Sequence, residues 1–269
     1  MIVVADNLNI LNPVVAAALQ NLEAGPLQEL ARRCEQAGAK ILDINPGYLS
    51  AKHEDRMVFM VEAVQQVTQL RLMLDSPNPK VLAKGLAACD QTPVLNALTL
   101  EEEKLRGMLP LAAAHDTDLV LLLLDERSFP PPALEGKVAV AMQLREAALS
   151  AGVKEERLIF DPVLPNLSWP DAWAQVGEIV KLVRLLSDGA LLQSQARTMV
   201  GLSNLRSGLR RTYPSRVEEA CLYMPGHRDV PADLGGRRLQ GFGRRTATDA
   251  RRSDVTRRRV RRHRSARAF

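Results

Sequence analysis

The sequence predicts an α/β fold, a single (β/α)8 barrel without a regular eighth strand, and three observations predict it. Short runs rich in Val, Ile and Leu alternate with stretches of helical periodicity through residue 224, the pattern of parallel strands joined by helical crossovers. Aromatics are only 4% of the chain, so the core rests on aliphatic side chains, as the inside of a parallel barrel does. A chain of 269 residues is long enough to bury a large core and fits one such barrel.

The elements follow in order. A first strand is expected over residues 2–5. A helix comes next, with Leu27, Leu30, Ala31 and Cys34 on one face and Gly38 as its stop. ILDIN (41–45) is the second strand, before a helix carrying Met57, Met60, Val61 and Val64, whose spacing marks them as core. LRLML (70–74) is the third strand, and Pro79 suits the first turn of the helix after it. PVLNA (93–97) is the fourth, followed by an EEEK-led helix with Pro110 inside it, where a kink is expected. DLVLLLL (118–124), RLIF (157–160) and TMVGLS (198–203) complete the set. SFPPPAL (128–134) and PNLSWPD (165–171) read as long loops after strands.

Composition excludes several classes. The three cysteines are far apart and form no CxxC pair, which argues for a reducing compartment and against a zinc or redox motif. The start MIVVADNLN lacks a basic region and meets an acid at residue 6, unlike a secretory signal. LVLLLL (119–124) is far too short to span a bilayer. A cytoplasmic protein with no membrane partner is expected. The net charge of +5 hides an asymmetry: residues 225–269 hold 14 Arg and 4 Asp and so carry +10, leaving −5 on residues 1–224.

The chemistry is written at the strand ends. Asp6 and Asn9 follow the first run, and Asp43 and Asn45 end the second. Asp75 ends the third, Asn96 lies in the fourth, Asp125 follows the fifth, Asp161 the sixth and Asn204 the seventh. In a parallel barrel these ends share one mouth, where active sites of this architecture lie. A ring of carboxylates and amides without His or Lys suits neither a Schiff-base enzyme nor a metallohydrolase. It suits a pterin, whose amine and adjacent ring N–H one carboxylate accepts together, while carboxamides serve its ring nitrogens and carbonyl. For each residue alone the competing reading is a helix cap or turn, as in Asp75-Ser76-Pro77 and Asp161-Pro162. His53 and His115 fall on helical segments away from the strand ends.

LMLDSPNP (72–79), PVLNA, IFDPVLP (159–165) and above all GLSN (201–204) resemble the pterin-binding family of TIM barrels. That family includes dihydropteroate synthase, the folate domain of cobalamin-dependent methionine synthase, and methyltetrahydrofolate:corrinoid/iron–sulfur protein methyltransferase. The similarity to the last extends over about residues 2–224. Dihydropteroate synthases carry Ser-Arg-Lys after the seventh strand, whereas GLSN puts an amide there, as the methyltransferases do. The resemblance implies that Asp75, Asn96 and Asp161 hold the pterin ring and that Asn204 hydrogen-bonds near N5, the methyl-bearing atom. Asn9, Asp43, Asn45 and Asp125 match positions around the same pocket. It also implies methyltetrahydrofolate as substrate, a corrinoid whose cobalt belongs to a partner protein, no metal of the chain's own, and a homodimer. Two other outcomes stay open: a dihydropteroate synthase-like pterin enzyme, and a non-catalytic remnant of the family.

There are departures. Asp6-Asn7-Leu8-Asn9 replaces the family's Glu-Arg-Ile-Asn start, and Asp125 stands where the methyltransferases have Asn. Arg206, Arg210 and Arg211 after GLSN read either as solvated or as partners of folate's glutamate tail. Beyond residue 224 no strand-like run or apolar helical face continues, so residues 225–269 are expected to be an Arg-rich, disordered tail. A tail with 14 Arg and no Lys fits a GC-rich gene read through a frame change better than a nucleic-acid-binding arm, and no nucleic-acid partner is expected.

Overall fold

Each strand of the computed structural model is parallel to the one before it, and the seven described strands pair in sequence order. The structure describes residues 1–49, 53–192 and 194–207. The expected boundary at residue 224, the region of an eighth strand, the Arg-rich tail, Arg210 and Arg211 all lie outside the described residues.

The strands are β1 (Val4–Asn9), β2 (Ile41–Asn45), β3 (Arg71–Asp75), β4 (Val94–Leu98), β5 (Asp118–Leu122), β6 (Leu158–Asp161) and β7 (Arg197–Thr198). Helices α1 (Pro13–Asn21) and α2 (Ala24–Gln36) separate β1 from β2. Then α3 (Asp55–Gln65), α4 (Pro79–Ala88), α5 (Glu102–His115), α6 (Leu134–Ser150) and α7 (Ala172–Ser187) follow β2 to β6 in turn. No helix among the described residues is long and apolar enough to cross a membrane.

Most expected elements stand where periodicity put them, and the exceptions have physical causes. α1 was not expected: its nine residues begin with Asn12, whose side chain accepts from the Val14 N–H, and with Pro13 in the first turn, signals of a helix start. The first strand occupies Val4–Asn9 rather than residues 2–5, because Ala5 pairs with Leu42 while Leu8 pairs with Ile44. One extra residue on β1 makes a bulge, and a bulge breaks the alternation by which a strand is read. The seventh strand is only Arg197–Thr198, and GLSN enters a 3-10 turn at Leu202–Arg206. Pro110 lies inside α5.

The sheet has two faces. Leu42, Ile44, Leu72, Leu74, Leu95, Leu119, Leu121, Leu158 and Phe160 pack outward with the helices in the main core. The inner face carries a second, smaller cluster of Met73, Val94 and Val120, against which Val4, Ile41, Ile159 and Met199 pack. Because side chains alternate along a strand, residues two before and two after this layer share its face. Below it lie Arg71, Asp118 and Arg197; above it lie Asp43, Asp75, Asn96 and Asp161. The interior is thus ionic at one end, apolar in the middle and polar at the mouth.

The lower layer is one carboxylate gripped by three guanidiniums. Asp118, 1% exposed, meets Arg71 at 2.5 Å, Arg197 at 2.8 and 2.9 Å, and Arg157 at 3.4 Å. Burial pushes its carboxyl up, but the Arg197 and Arg71 hydrogen bonds outweigh this and hold it at about 2. Its unfolded pKa is near 3.8, so the stability it confers is complete above that pH and is lost as pH falls through about 2. Asp118→Ala leaves three cations side by side and is expected to cost about 3 kcal/mol in urea unfolding. That is the low end of the range, since the arginines are partly solvated.

Candidate active site at the strand ends

Register builds the mouth. Asn9 pairs with Asn45, Ile44 with Leu74, and Asp75 with Asn96, so the ends of β1 to β4 present Asn9, Asn45, Asp75 and Asn96 at one level. The bulge in β1 matters here. Without its extra residue Leu8 rather than Asn9 would share the face of Val4, because a one-residue shift exchanges the faces of a strand.

Side chains then join across the strands. Asn45 Nδ2 donates to Asp75 Oδ2 at 2.6 Å, and Asn96 Nδ2 donates to Asp43 Oδ2 at 3.3 Å. Asp43 is 7% exposed and Asp161 5%. Asp75 does not cap α4; that task belongs to Asn78, whose side chain accepts from the Lys80 N–H at 2.9 Å. The capping reading therefore gives way to a cross-strand network at Asp75. At Asp161 part of it survives: its Oδ1 accepts from the Val163 N–H at 2.8 Å. Val163 has φ of 59°, a left-handed conformation that costs a β-branched residue of order 1–3 kcal/mol. The left-handed turn redirects the chain just beyond the N–H that Asp161 holds.

Electrostatics mark the same residues. Burial raises Asp43 well above the ordinary carboxylate range, and the charges of Asp75 and Asp6 add to this against a hydrogen bond from Asn96. Burial raises Asp75 to about 6, opposed by the Asn45 hydrogen bond and the charge of Lys104. Burial likewise brings Asp161 to about 6, against the Val163 N–H and the charge of Lys137. Three shifted carboxylates at one barrel mouth are a functional signature, because a donor-rich ligand can relieve what solvent no longer does.

Other expected site residues stand apart. β5 ends at Leu122, so Asp125 lies three residues past it. Its Oδ1 accepts from the Arg127 and Phe129 N–H groups, both at 2.9 Å, and it pairs with the Arg127 guanidinium. The Phe129 N–H, with Arg127, lowers its pKa. Its carboxylate organises its own loop instead of joining the ring, and it edges a surface hollow of about 250 Å³ with Leu100, Glu126, Arg127, Val140 and Gln143. No other ring residue lines that hollow. Asn9 Oδ1 accepts from the Leu11 N–H at 2.9 Å, a turn contact. Asn204 sits in the 3-10 turn beyond β7, its N–H donating to Gly201 O at 3.2 Å. The adjoining segment is tied to β6 through Met199 N–H to Phe160 O at 2.9 Å, and to the loop after β6 through Leu167 N–H to Leu205 O at 3.2 Å.

The expectation of a mouth without lysine needs correction. The strand ends hold none, but α6 supplies Lys137, which is wholly buried and acts on Asp161, and α5 supplies Lys104, which acts on Asp75. The signal for Lys137 was present: it shares a helical face with the buried Val140, Ala141 and Leu144, so a charge stands where an apolar residue belongs.

Fold and mouth define a parallel α/β barrel with a network of buried and half-buried acids and amides at its strand ends. The chain belongs to the family of pterin binding enzymes, whose profile matches residues 15–225. The methylcorrinoid:tetrahydrofolate methyltransferase of Eubacterium limosum is 26% identical over 170 residues, 62% of this chain and 62% of that protein; the match thus spans less than two thirds of the relative's length. A crystallised dihydropteroate synthetase with a product superposes with a TM-score of 0.56 at 21% identity, over 75% of this chain and 78% of that one. The Yersinia pestis dihydropteroate synthase, in a sulfonamide drug complex, gives 0.56 at 20% identity over 76% of each chain. These two likenesses show the barrel fold.

Proposed function

We propose that the protein moves the N5-methyl group of methyltetrahydrofolate to or from the cobalt of a corrinoid carried by a partner protein. The single observation that carries the reading is the linked set Asn45–Asp75 and Asn96–Asp43, with buried Asp161 at the same end of β6. Each of these carboxylates is raised by burial, and each gains most from a ligand that offers N–H donors. The amine and ring N–H of a pterin make that offer to one carboxylate at a time, and the two carboxamides complement its acceptors. The identity of residue 204 separates this reading from a dihydropteroate synthase-like one, since an amide follows Ser203 where the synthases have the basic Arg-Lys pair. The E. limosum relative, by its name, works on the same pair of methyl carriers.

The corrinoid supplies the metal centre that exchanges the methyl group. This chain's residues do the rest. Asp75, Asp161 and Asn96 hold the pterin ring by its polar edge, and Asp43 and Asn45 hold Asn96 and Asp75 in place. N5 is a poor leaving group unless it gains positive character, so an Asn204 amide whose hydrogen bond strengthens as that charge develops stabilises the transition state more than the ground state. The same contact serves either direction of transfer.

Calorimetry with methyltetrahydrofolate is expected to show one binding site per chain, and added cob(I)alamin is expected to receive the methyl group. Binding without transfer, together with condensation of a pterin pyrophosphate with an aminobenzoate, would move the assignment to the synthases. No binding at all would leave a non-catalytic remnant.

A further inference from the structure

Lys137 has no exposed surface, although it lies in the first turn of α6, where solvent is close at hand. Its Nζ donates to the carbonyl oxygen of Pro162 at 3.3 Å, the residue directly after Asp161. Among the described residues that is the only hydrogen bond of an ammonium with three donors. Packing alone does not call for a lysine here. A Met stem would fill the same space against Val140 and Ala141 without the desolvation of a charge, and buried lysines are rare unless paired. Burial lowers Lys137 to about 8, while the carboxylates of Asp161 from β6 and Glu178 from α7 work to keep it charged. Glu178 is already engaged by Lys181 at 2.8 Å, which leaves Asp161 as the carboxylate that depends on it.

We propose that Lys137 is a positioning residue for the pterin site: anchored on the Pro162 carbonyl, it keeps the buried Asp161 ionised so that both carboxylate oxygens accept from the ligand's amine and ring N–H. This rests on the pterin reading of the mouth. A protonated Asp161 would present one acceptor and one donor to two donors, a mismatch that forfeits a charge-assisted hydrogen bond. Lys137 touches neither substrate nor reacting atoms; it acts through Asp161.

The test is binding of methyltetrahydrofolate to the full chain by calorimetry from pH 6 to 9, for the parent, Lys137→Met and Asp161→Asn, with melting curves for each. Lys137→Met is expected to fold, to bind at least tenfold more weakly than the parent at pH 7, and to regain affinity toward pH 9 as Asp161 ionises unaided. The parent is expected to vary little above pH 7. In Asp161→Asn, adding Lys137→Met should weaken binding no further. Lys137→Gln gives the same comparison should the Met variant not fold. Parental affinity in Lys137→Met, or a loss equal at every pH, overturns the proposal and leaves the pterin reading standing. A parent protein that binds no methyltetrahydrofolate at any pH overturns both.

Discussion

Replacing Asn204 by Ala is expected to lower the rate of methyl transfer by about 10²–10³-fold, the loss of one preorganised hydrogen bond at the reacting nitrogen, taken at the worth of a single transition-state contact of about 2.7–4 kcal/mol, while binding of methyltetrahydrofolate stays within a few-fold. The asymmetry follows from the proposed role. Before transfer N5 is a weakly basic amine and the contact contributes little; as charge develops there, the amide is already in position. An effect on kcat without a matching one on affinity is the mark of an interaction made in the transition state. Single-turnover transfer to cob(I)alamin measures it, and a rate within a few-fold of the parent would remove Asn204 from the mechanism. Retention of the barrel is expected, because main-chain contacts tie this segment to β6 and to the loop after it, Met199 N–H to Phe160 O and Leu167 N–H to Leu205 O.

Asp75→Asn is expected to do the opposite to stability and binding, making the free protein more stable at pH 7 by about 3 kcal/mol while weakening pterin binding severely. The folded pKa of about 6 exceeds the ordinary value of 3.8, so the folded state holds its proton longer than the unfolded chain does. Stability from this group is therefore unaffected below about pH 4, falls as pH rises to about 6, and stays reduced above that. The amide keeps the contact with Asn45 through its Oδ1, removes the cost of ionisation, and relieves the like charge that helps to raise Asp43. As an acceptor for ligand N–H it offers one oxygen and no charge, where the carboxylate offered two oxygens and a charge. Urea unfolding at pH 4, 5, 6 and 7 reads the first effect as a flattened pH profile, and calorimetry reads the second. A variant less stable than the parent at pH 7 would contradict the assignment of strain to this carboxylate. Greater stability with lost function is the compromise expected of a binding site built from desolvated charges.

Much of this was legible from residues alone because the barrel repeats a simple rule. Apolar runs such as ILDIN and LRLML end at the polar residues that the fold then gathers, and the helix face of Met57, Met60, Val61 and Val64 is buried throughout. Asn78 and Pro79 at the start of α4, and Asn12 and Pro13 at the start of α1, follow the same local chemistry. The second pair was overlooked because α1 is only nine residues long, with few polar positions to show a period. What was misjudged concerned long-range partners. Asp118 looked like the start of an apolar run, yet it is the hub of three arginines from β3, β7 and the approach to β6. Asp125 looked like a strand end and proved to be the centre of its own turn.

The sequence by itself determined the alternation of strand and helix, the polarity of the strand ends and the residue type at position 204, since each depends on local composition and spacing. Only the tertiary structure decided which strand ends touch. It bulged β1 so that Asn9 shares a level with Asn45, joined Asn45 to Asp75 and Asn96 to Asp43, and drew Lys137 onto the carbonyl of Pro162, next to Asp161. The physical reason is that register and desolvation are properties of packed neighbours. A carboxylate's affinity for its proton, and so its readiness for a ligand, is raised by burial under the packed fold and tempered at Asp75 and Asp43 by side chains 30 and 53 residues away in the chain.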